Sequence, residues 1–187
     1  TNVVMDNAAN AIALAETLAL PGYTTLKTTG SIAVNGKVTD TGTLALSGGA
    51  IIEGDKGLLK ATNLLLLNGA VTLNQANTIG KVAASGVSSL TLNNAADLTV
   101  GSVMNQNKTT AAAVDGITAT GAVKITEAAD KELTLAKDIS AGGNVNLSVD
   151  GLAASGGKVS KASTLQIFPT TTSKEIYVYG TGSEKSG

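Results

Sequence analysis

Short runs in which apolar residues alternate with polar or small ones recur along the chain, and Gly or Asn separates many of them. Examples are Leu-Ala-Leu at 44–46, Leu-Thr-Leu at 90–92, Val-Lys-Ile at 123–125 and Val-Asn-Leu at 145–147. Strict alternation is typical of a β-strand that buries one face. Because the unit is short and recurs many times, it predicts a solenoid, in which one supersecondary unit is stacked repeatedly.

The residues available for a core favour a narrow interior. The chain has 187 residues, of which 43% are hydrophobic, yet it contains no Trp, one Phe and three Tyr. Leu, Ile, Val and Ala must therefore fill the interior, and stacked aliphatic side chains do this well when the interior is only a few side chains wide. We expect one all-β domain built as a parallel β-helix.

The spacing of the runs sets the size of each coil. Corresponding strand starts fall near residues 64, 90, 123, 145 and 165. A coil of roughly 22 residues gives about eight coils and a rod about 40 Å long, since parallel strands lie about 4.8 Å apart. The stretch 104–115 is polar and then small, which predicts a loop inserted into one coil. The alternative is an antiparallel β-sandwich, in which 64–67, Asn68-Gly69 and 71–73 form a type I′ hairpin.

The chain divides into three parts. Residues 1–23 are predicted as an N-terminal segment or cap, either strand or short helix: Ala richness before Pro21-Gly22 favours a helix, whereas the even spacing of Ile12 and Leu14 favours a strand. Residues 24–180 are the predicted β-helix repeat domain, and 181–187 a flexible tail or linker. Tyr177 and Tyr179 share one face of a predicted final strand, which either closes the core or contacts a neighbouring subunit. Because the chain begins at Thr1, we expect a processed product or a fragment.

The charged residues exclude several classes of function. The formal net charge is −1, all 13 basic residues are Lys, and Arg, His and Cys are absent. A chain without a basic surplus is a poor nucleic-acid binder. Without His and Cys it cannot build the familiar zinc sites or the Ser-His-Asp and Cys-His systems, although a Ser–Lys pair stays open. The Gly-Lys pairs at 36–37, 80–81 and 157–158 lack the P-loop spacing and are predicted turns.

Carboxylates are the remaining route to enzymatic chemistry. Asp97, Asp130, Glu132 and Asp138 could act on an acidic polysaccharide if two of them faced each other across a cleft. They are scattered over turns and strand edges, and no calcium-loop motif accompanies them. We therefore predict surface acids, with no catalytic residue, no cofactor and no metal.

Asparagines and threonines at fixed places in the runs have predicted structural roles. Thr91, Thr99 and Thr134 lie between inward-facing residues and should point outward. Asn residues at turns are expected to stack from coil to coil as side-chain amide ladders, as asparagines do in cross-β arrays. These asparagines are Asn93, Asn94, Asn144 and Asn146.

Phrases over residues 40–168 resemble the repeats of filamentous haemagglutinin-like exoproteins, the large bacterial adhesins secreted by the two-partner route. Two of them are Ala96-Asp-Leu-Thr-Val-Gly101 and Asp138-Ile-Ser-Ala-Gly-Gly-Asn-Val-Asn-Leu147. The resemblance implies a right-handed parallel β-helix and a secreted or cell-surface location. The family's secretion domain, with its Asn-Pro-Asn-Gly-like signature, is not seen in this sequence.

We therefore expect a non-catalytic structural or adhesive segment of a bacterial fibre. Its partner would be a receptor or glycan on a host or neighbouring cell. One alternative is a self-assembling extracellular filament or surface-layer subunit, joined end to end through terminal strands. A polysaccharide-active β-helix enzyme is the third possibility. No run of apolar residues reaches the length of a membrane span.

Overall fold

The computed structural model describes residues 2–20, 22–106 and 111–175, and this part of the chain is all-β. Its strands, in chain order, are β1 (Asn2–Asp6), β2 (Ile12–Leu14), β3 (Leu18–Leu20), β4 (Tyr23–Lys27), β5 (Ser31–Val34), β6 (Lys37–Ser47), β7 (Ala50–Glu53), β8 (Leu58–Leu67), β9 (Ala70–Val87), β10 (Ser89–Asn94), β11 (Leu98–Val100), β12 (Ser102–Asn105), β13 (Ala112–Asp115), β14 (Ile117–Ala119), β15 (Val123–Glu127), β16 (Glu132–Leu135), β17 (Ile139–Ala141), β18 (Val145–Ser148), β19 (Gly151–Ala154), β20 (Val159–Ser160) and β21 (Leu165–Phe168).

Apart from β12 and β13, which pair with each other antiparallel, the strands stack in parallel on three faces of one solenoid. Face 1 consists of β2, β5, β7, the start of β9, β10, β15, β18 and β21. Face 2 begins with β3, continues through parts of the long bent strands β6, β8 and β9, and ends in β11, β16 and β19. Face 3 begins with β1 and β4, continues through other parts of the same bent strands, and ends in β14, β17 and β20. The predicted parallel β-helix of about eight coils is confirmed.

Columns of like aliphatic residues form the core. On face 1 the pairing places one inward residue of each coil directly above that of the coil before, and all but the last are buried: Ile12, Ile32, Ile51, Val71, Leu90, Val123, Val145 and Leu165. Burying one such side chain stabilises the fold by roughly 1.5–3 kcal/mol. The absence of large aromatics therefore matches the narrow interior.

The predicted coil spacing is partly wrong. Leu64 lies on face 3 between Leu44 and Val82, so it is not the counterpart of Leu90. That counterpart is Val71, 19 residues earlier. The long step, from Leu90 to Val123, is the one coil that contains β12 and β13. Leu64 was misassigned because two faces of this coil carry the same alternation.

The predicted sandwich hairpin does not form. Asn68 and Gly69 both have φ near +64°, as in a type I′ turn, which Asn and Gly tolerate best. The strands on either side nevertheless pair with neighbouring coils: Leu66 with Ala84, and Val71 with Ile51. The turn is a corner between face 3 and face 1.

Residues 2–20 form strands β1, β2 and β3, which stack on the next coil. Of the two alternatives for the N-terminal segment, the strand is the one present in the structure. Tyr177, Tyr179 and the tail 181–187 lie outside the described residues.

A substitution in the face 1 column tests this core. Leu90→Ala should lower the free energy of unfolding by about 3 kcal/mol, since it leaves a cavity between Val71 and Val123. Thr91→Ala, the next residue on the outer surface, should change it by no more than about 0.5 kcal/mol. Urea unfolding of both variants measures the difference, and equal losses would contradict the column.

Candidate functional site

The predicted inserted loop at 104–115 is a hairpin made of β12 and β13. It leaves the coil after Gly101 and returns at Gly116, whose N–H donates to the Gly101 carbonyl at 3.0 Å. Gly116 has φ +66°, and a Cβ there would lie 2.1 Å from the carbonyl oxygen of Asp138. Only glycine fits this position without strain. The hairpin is therefore anchored at a base that the coil itself defines.

The hairpin folds back over the outer surface of face 3. Val103 packs in one apolar cluster with Ala45, Leu65 and Ala83, which point outward from stacked coils. These outward side chains are buried, so face 3 has apolar residues on both sides. The four leucines at 64–67 reflect this, because a strand buried on both faces reads as a continuous apolar run.

Tyr23 attaches the far end of the hairpin to an early coil. Its hydroxyl donates to the Met104 carbonyl at 3.0 Å and accepts from the Gln106 N–H at 2.9 Å. The ring itself is buried in the cluster beneath the hairpin. Sequence reasoning counted Tyr23 among the few aromatics but gave it no role, because its partner lies 81 residues away.

Polar side chains close the base of the hairpin. Ser102 Oγ donates to Asp115 Oδ1 at 2.5 Å, and Lys137 Nζ lies 3.3 Å from Asp115 Oδ2. The hydrogen bond from Ser102, then Lys137, lowers the pKa of the Asp115 carboxyl. Asp115 therefore stays ionised and binds both partners, which joins the hairpin to the coil that follows. Ser102 and Lys137 are therefore neighbours, but both contact the Asp115 carboxylate that lies between them.

A second feature, the polar corner, lies where face 1 turns into face 2 and comprises Glu53, Asn77, Asn94 and Glu127. All four are buried. Asn94 Oδ1 accepts the Ile79 N–H at 2.8 Å, and its Nδ2 donates to the Ile79 carbonyl at 3.1 Å. This side-chain amide therefore takes the place of a strand peptide where the regular pairing stops.

The two glutamates lie at either end of the polar corner. Asn77 Nδ2 donates to Glu53 Oε2 at 3.1 Å, and Asn94 Nδ2 donates to Glu127 Oε2 at 3.2 Å. The other oxygen of each carboxyl has no partner in the described structure. Burial raises the pKa of Glu53, and it raises the pKa of Glu127 to about 8 against the hydrogen bond from Asn94, with a further increase from the charge of Asp97. Glu127 is therefore protonated at neutral pH.

The predicted asparagine ladders take a different form. Asn94 is in register with Asn77, a residue that was not in the predicted set. Their amides bond to backbone groups and carboxylates, and Asn93 Nδ2 donates to the Asn74 carbonyl at 2.7 Å. Asn146 Oδ1 is buried and has no partner in the described structure. The bonds of Asn93 and Asn94 therefore go to backbone groups and to the Glu127 carboxyl.

The four candidate acids do not form one site. Asp97 Oδ1 accepts the Glu132 N–H at 3.0 Å, and Asp130 pairs with Lys174, all near the corner after face 1. Asp138 lies at a different corner, where its Oδ1 accepts the Lys158 N–H at 3.1 Å. Asp97 and Asp138 therefore each connect one coil to the next.

Asp150 is a further acid that the sequence did not single out, as are Glu53, Asp115 and Glu127. The Asp150 side chain is 1% exposed, and it accepts bonds from Thr171 Oγ1 at 2.5 Å, Asp130 N–H at 2.8 Å and Thr171 N–H at 2.7 Å. The hydroxyl of Thr171 is the main cause that holds the pKa of Asp150 well below its usual range. A shallow cavity of about 180 Å³ lies here, lined by Asp130, Lys131, Glu132, Asp150, Gly151 and Lys174. In the sequence, Asp150-Gly151 indicates only a turn, because Asp and Gly tolerate the backbone conformations of tight turns.

A groove of about 390 Å³ runs along the outside of the bend between faces 2 and 3. Thr39, Thr41, Thr62 and Thr78 contribute to its lining together with Lys60. Thr62 Oγ1 donates to the Thr41 carbonyl at 2.9 Å, one coil away. The groove is open, and its lining is mostly apolar.

Neither a metal centre nor a bilayer-spanning helix occurs in the described ranges. No three Asp or Glu side chains there come together as a metal site would require. No helix in these ranges is long and apolar enough to cross a bilayer. Comparison with protein-family models, curated proteins and solved structures gave no match.

The tyrosine attachment can be tested by removing one atom. Tyr23→Phe keeps the buried ring and deletes both hydrogen bonds, so the hairpin should open more often, by about 1 kcal/mol. Hydrogen exchange at Gln106 N–H should accelerate about fivefold. Exchange at Leu90 N–H, bonded to the Ala122 carbonyl, is the internal control. Unchanged exchange at Gln106 would show that the hydroxyl does not hold the hairpin.

The buried carboxyl predicts a pH dependence. Between the ordinary Glu value of 4.5 and about 8, the unfolded chain releases the Glu127 proton while the folded chain retains it. The free energy of unfolding should therefore fall as pH rises through this window. Glu127→Gln should flatten that fall and stabilise the protein at pH 8 by about 2 kcal/mol. The exposed Glu132→Gln is the control, and equal pH profiles for both variants would contradict the assignment.

Proposed function

We propose that this chain is a structural or adhesive segment of a secreted or cell-surface bacterial fibre, and that it is not an enzyme. The observation that carries the proposal is the continuous in-register stack from Ile12 to Leu165, in which every coil hydrogen-bonds to the next along face 1. Such a stack resists bending because bending must separate neighbouring strands. It supplies length and stiffness.

The polar groups support the same function. Asp97, Asp138 and Asp150 accept backbone N–H groups from adjacent coils, and the amides of the polar corner do likewise. These bonds reinforce the joint between coils, and three of the four candidate acids are already bound to a backbone group or a lysine. A general acid and base pair needs two carboxyls facing each other across a substrate cleft. In the described ranges Asp130, Glu132 and Asp150 line one shallow cavity, but Asp130 pairs there with Lys174 and Asp150 accepts three hydrogen bonds, which does not favour the enzyme hypothesis.

The hairpin is the proposed place of contact with a partner. Its inner side, at Val103, is buried against face 3, so its outer side is what another molecule meets. Met104 points outward and is 46% exposed. A stiff scaffold that presents one inserted element is a common arrangement for recognition. The proposed partner is a receptor or glycan on a host or neighbouring cell.

The resemblance to filamentous haemagglutinin-like repeats supports the proposed location. The phrases at 96–101 and 138–147 quoted above carry that resemblance. A parallel solenoid is the architecture that the resemblance implies. Membership of that family, the secretion route and the surface location are part of the proposal.

Immuno-electron microscopy on cells of the source organism tests the location and the form. An antibody raised against β12–β13 should label thin surface rods, and averaged rods should show layers spaced about 4.8 Å apart. Serum depleted with the purified chain is the control. Label confined to the cell interior would overturn the proposal.

A turnover assay tests the absence of catalysis. The purified chain, incubated with a panel of acidic polysaccharides, should release no product above the heat-unfolded control. Product release that Glu132→Gln abolishes and Glu16→Gln leaves intact would replace the structural proposal with a polysaccharide-active enzyme.

A further inference from the structure

The chain has two Asn-Gly dipeptides, and each forms a corner of the solenoid. Asn35-Gly36 turns the chain from face 1 to face 2, and Asn68-Gly69 turns it from face 3 to face 1. Asparagine is among the thermally labile residues, because the backbone nitrogen of the next residue can attack its side-chain carbonyl carbon. Glycine hinders this attack least, since it has no β-carbon. The same reactive pair therefore occurs in two structural settings.

The Asn35-Gly36 corner holds the attacking nitrogen in a hydrogen bond. The Gly36 N–H donates to the Leu14 carbonyl at 2.8 Å, and Gly36 is buried. The Asn35 side chain is packed against the next coil, where its Oδ1 would lie 2.5 Å from a Cβ added to Gly54. The Gly36 nitrogen therefore has to leave a bond between coils before it can attack.

The Asn68-Gly69 corner leaves the attacking nitrogen free. Asn68 is exposed, and its Nδ2, the group that would leave, donates to Ser47 Oγ at 3.2 Å. Among the described residues the Gly69 N–H has no hydrogen-bond partner, whereas the Gly69 carbonyl accepts the Ser88 N–H at 2.8 Å. Attack by this nitrogen therefore requires no hydrogen bond of its own to break.

We propose that Asn68-Gly69 is a site of self-modification, at which the folded chain converts Asn68 to aspartate and isoaspartate without an enzyme. The Gly69 nitrogen attacks Asn68 Cγ and loses its proton to a solvent base, so that a new C–N bond closes a cyclic imide. The bond from Cγ to Nδ2 breaks, and Nδ2 takes up a proton and leaves as ammonia. Water then adds to one carbonyl of the imide. If it breaks the nitrogen's bond to Cγ the product is aspartate, and if it breaks the bond to the main-chain carbonyl carbon the product is isoaspartate.

Isoaspartate does not fit this corner, because it adds a carbon atom to the main chain between residues 68 and 69. Asn68 and Gly69 both have φ near +64°. A Cβ on Gly69 would lie 2.3 Å from the carbonyl oxygen of Gly49, so Gly69 has no room to move toward the earlier coil. The corner connects buried Leu66 on face 3 to buried Val71 on face 1. The modification should therefore disturb the pairing between coils here, and this holds whether or not the chain belongs to a fibre.

Peptide mass spectrometry on the full folded chain, over a time course in mildly alkaline buffer, measures both sites in one sample. Asn68 should deamidate at least about fivefold faster than Asn35, since its attacking nitrogen does not first have to leave a hydrogen bond. The chain unfolded in urea is the control, because both sites are then Asn-Gly in an open chain and should react at similar rates. A folded-state ratio no larger than the ratio in urea would overturn the inference.

Hydrogen exchange tests the effect on the stack. In the aged chain, exchange at the Ser88 N–H, the donor to Gly69, should accelerate in proportion to the isoaspartate content, which an isoaspartate methyltransferase measures. The Ile139 N–H, bonded to the Lys158 carbonyl in a later coil, should be unchanged. Asn68→Gly is the matched control: it tolerates the positive φ and cannot deamidate, so its aged chain should keep the exchange rate of the fresh chain. Equal acceleration at Ser88 in both aged chains would contradict the effect on the corner.

Discussion

Register between neighbouring coils is the constraint on which the rest of this structure depends. Each strand lies about 4.8 Å from its neighbour, so every inward residue must match the one before it in position and nearly in size. Val71, Leu90 and Val123 satisfy this on face 1. Extra residues are accommodated only where the chain can leave the stack and return to the same point. The paired glycines Gly101 and Gly116 provide that point.

The fold could be predicted from sequence because the register between strands follows from the local alternation of apolar and polar residues. Leu-Thr-Leu at 90–92 and Val-Asn-Leu at 145–147 each show which residues point inward, and repetition indicates that they stack. Assignment of a run to a face was less secure, as Leu64 shows. Alternation identifies the side of a strand that is buried, but faces 1 and 3 bury the same residue types.

The hairpin contacts and the polar corner could not be predicted in the same way. The local sequence around Glu127, with Ala128 and Ala129 beside it, indicates a surface acid. Its buried carboxyl accepts a hydrogen bond from Asn94, which lies 33 residues earlier. Val103 reads as part of a loop, yet it covers Leu65. The one available signal that face 3 is covered on its outer side was the run of four leucines at 64–67. A strand that is exposed on one side normally carries polar residues at its outward positions. Contacts across coils depend on stacking order, which single runs do not encode.

The link between Tyr23 and the hairpin changes how this solenoid can fold. In an ordinary repeat array each coil contacts only its neighbours, so folding can begin anywhere and spread one repeat at a time. Here a residue of an early coil has its hydroxyl partners at 104 and 106, on the far side of the intervening coils. During synthesis, the first half of the chain therefore cannot form all its native contacts until the hairpin has been made. The first half and the hairpin then fold and unfold as one cooperative unit. Beyond Gly116, the described side-chain bonds join nearer coils, as Thr170 and Lys174 do with Glu127 and Asp130, so these coils are closer to a simple array.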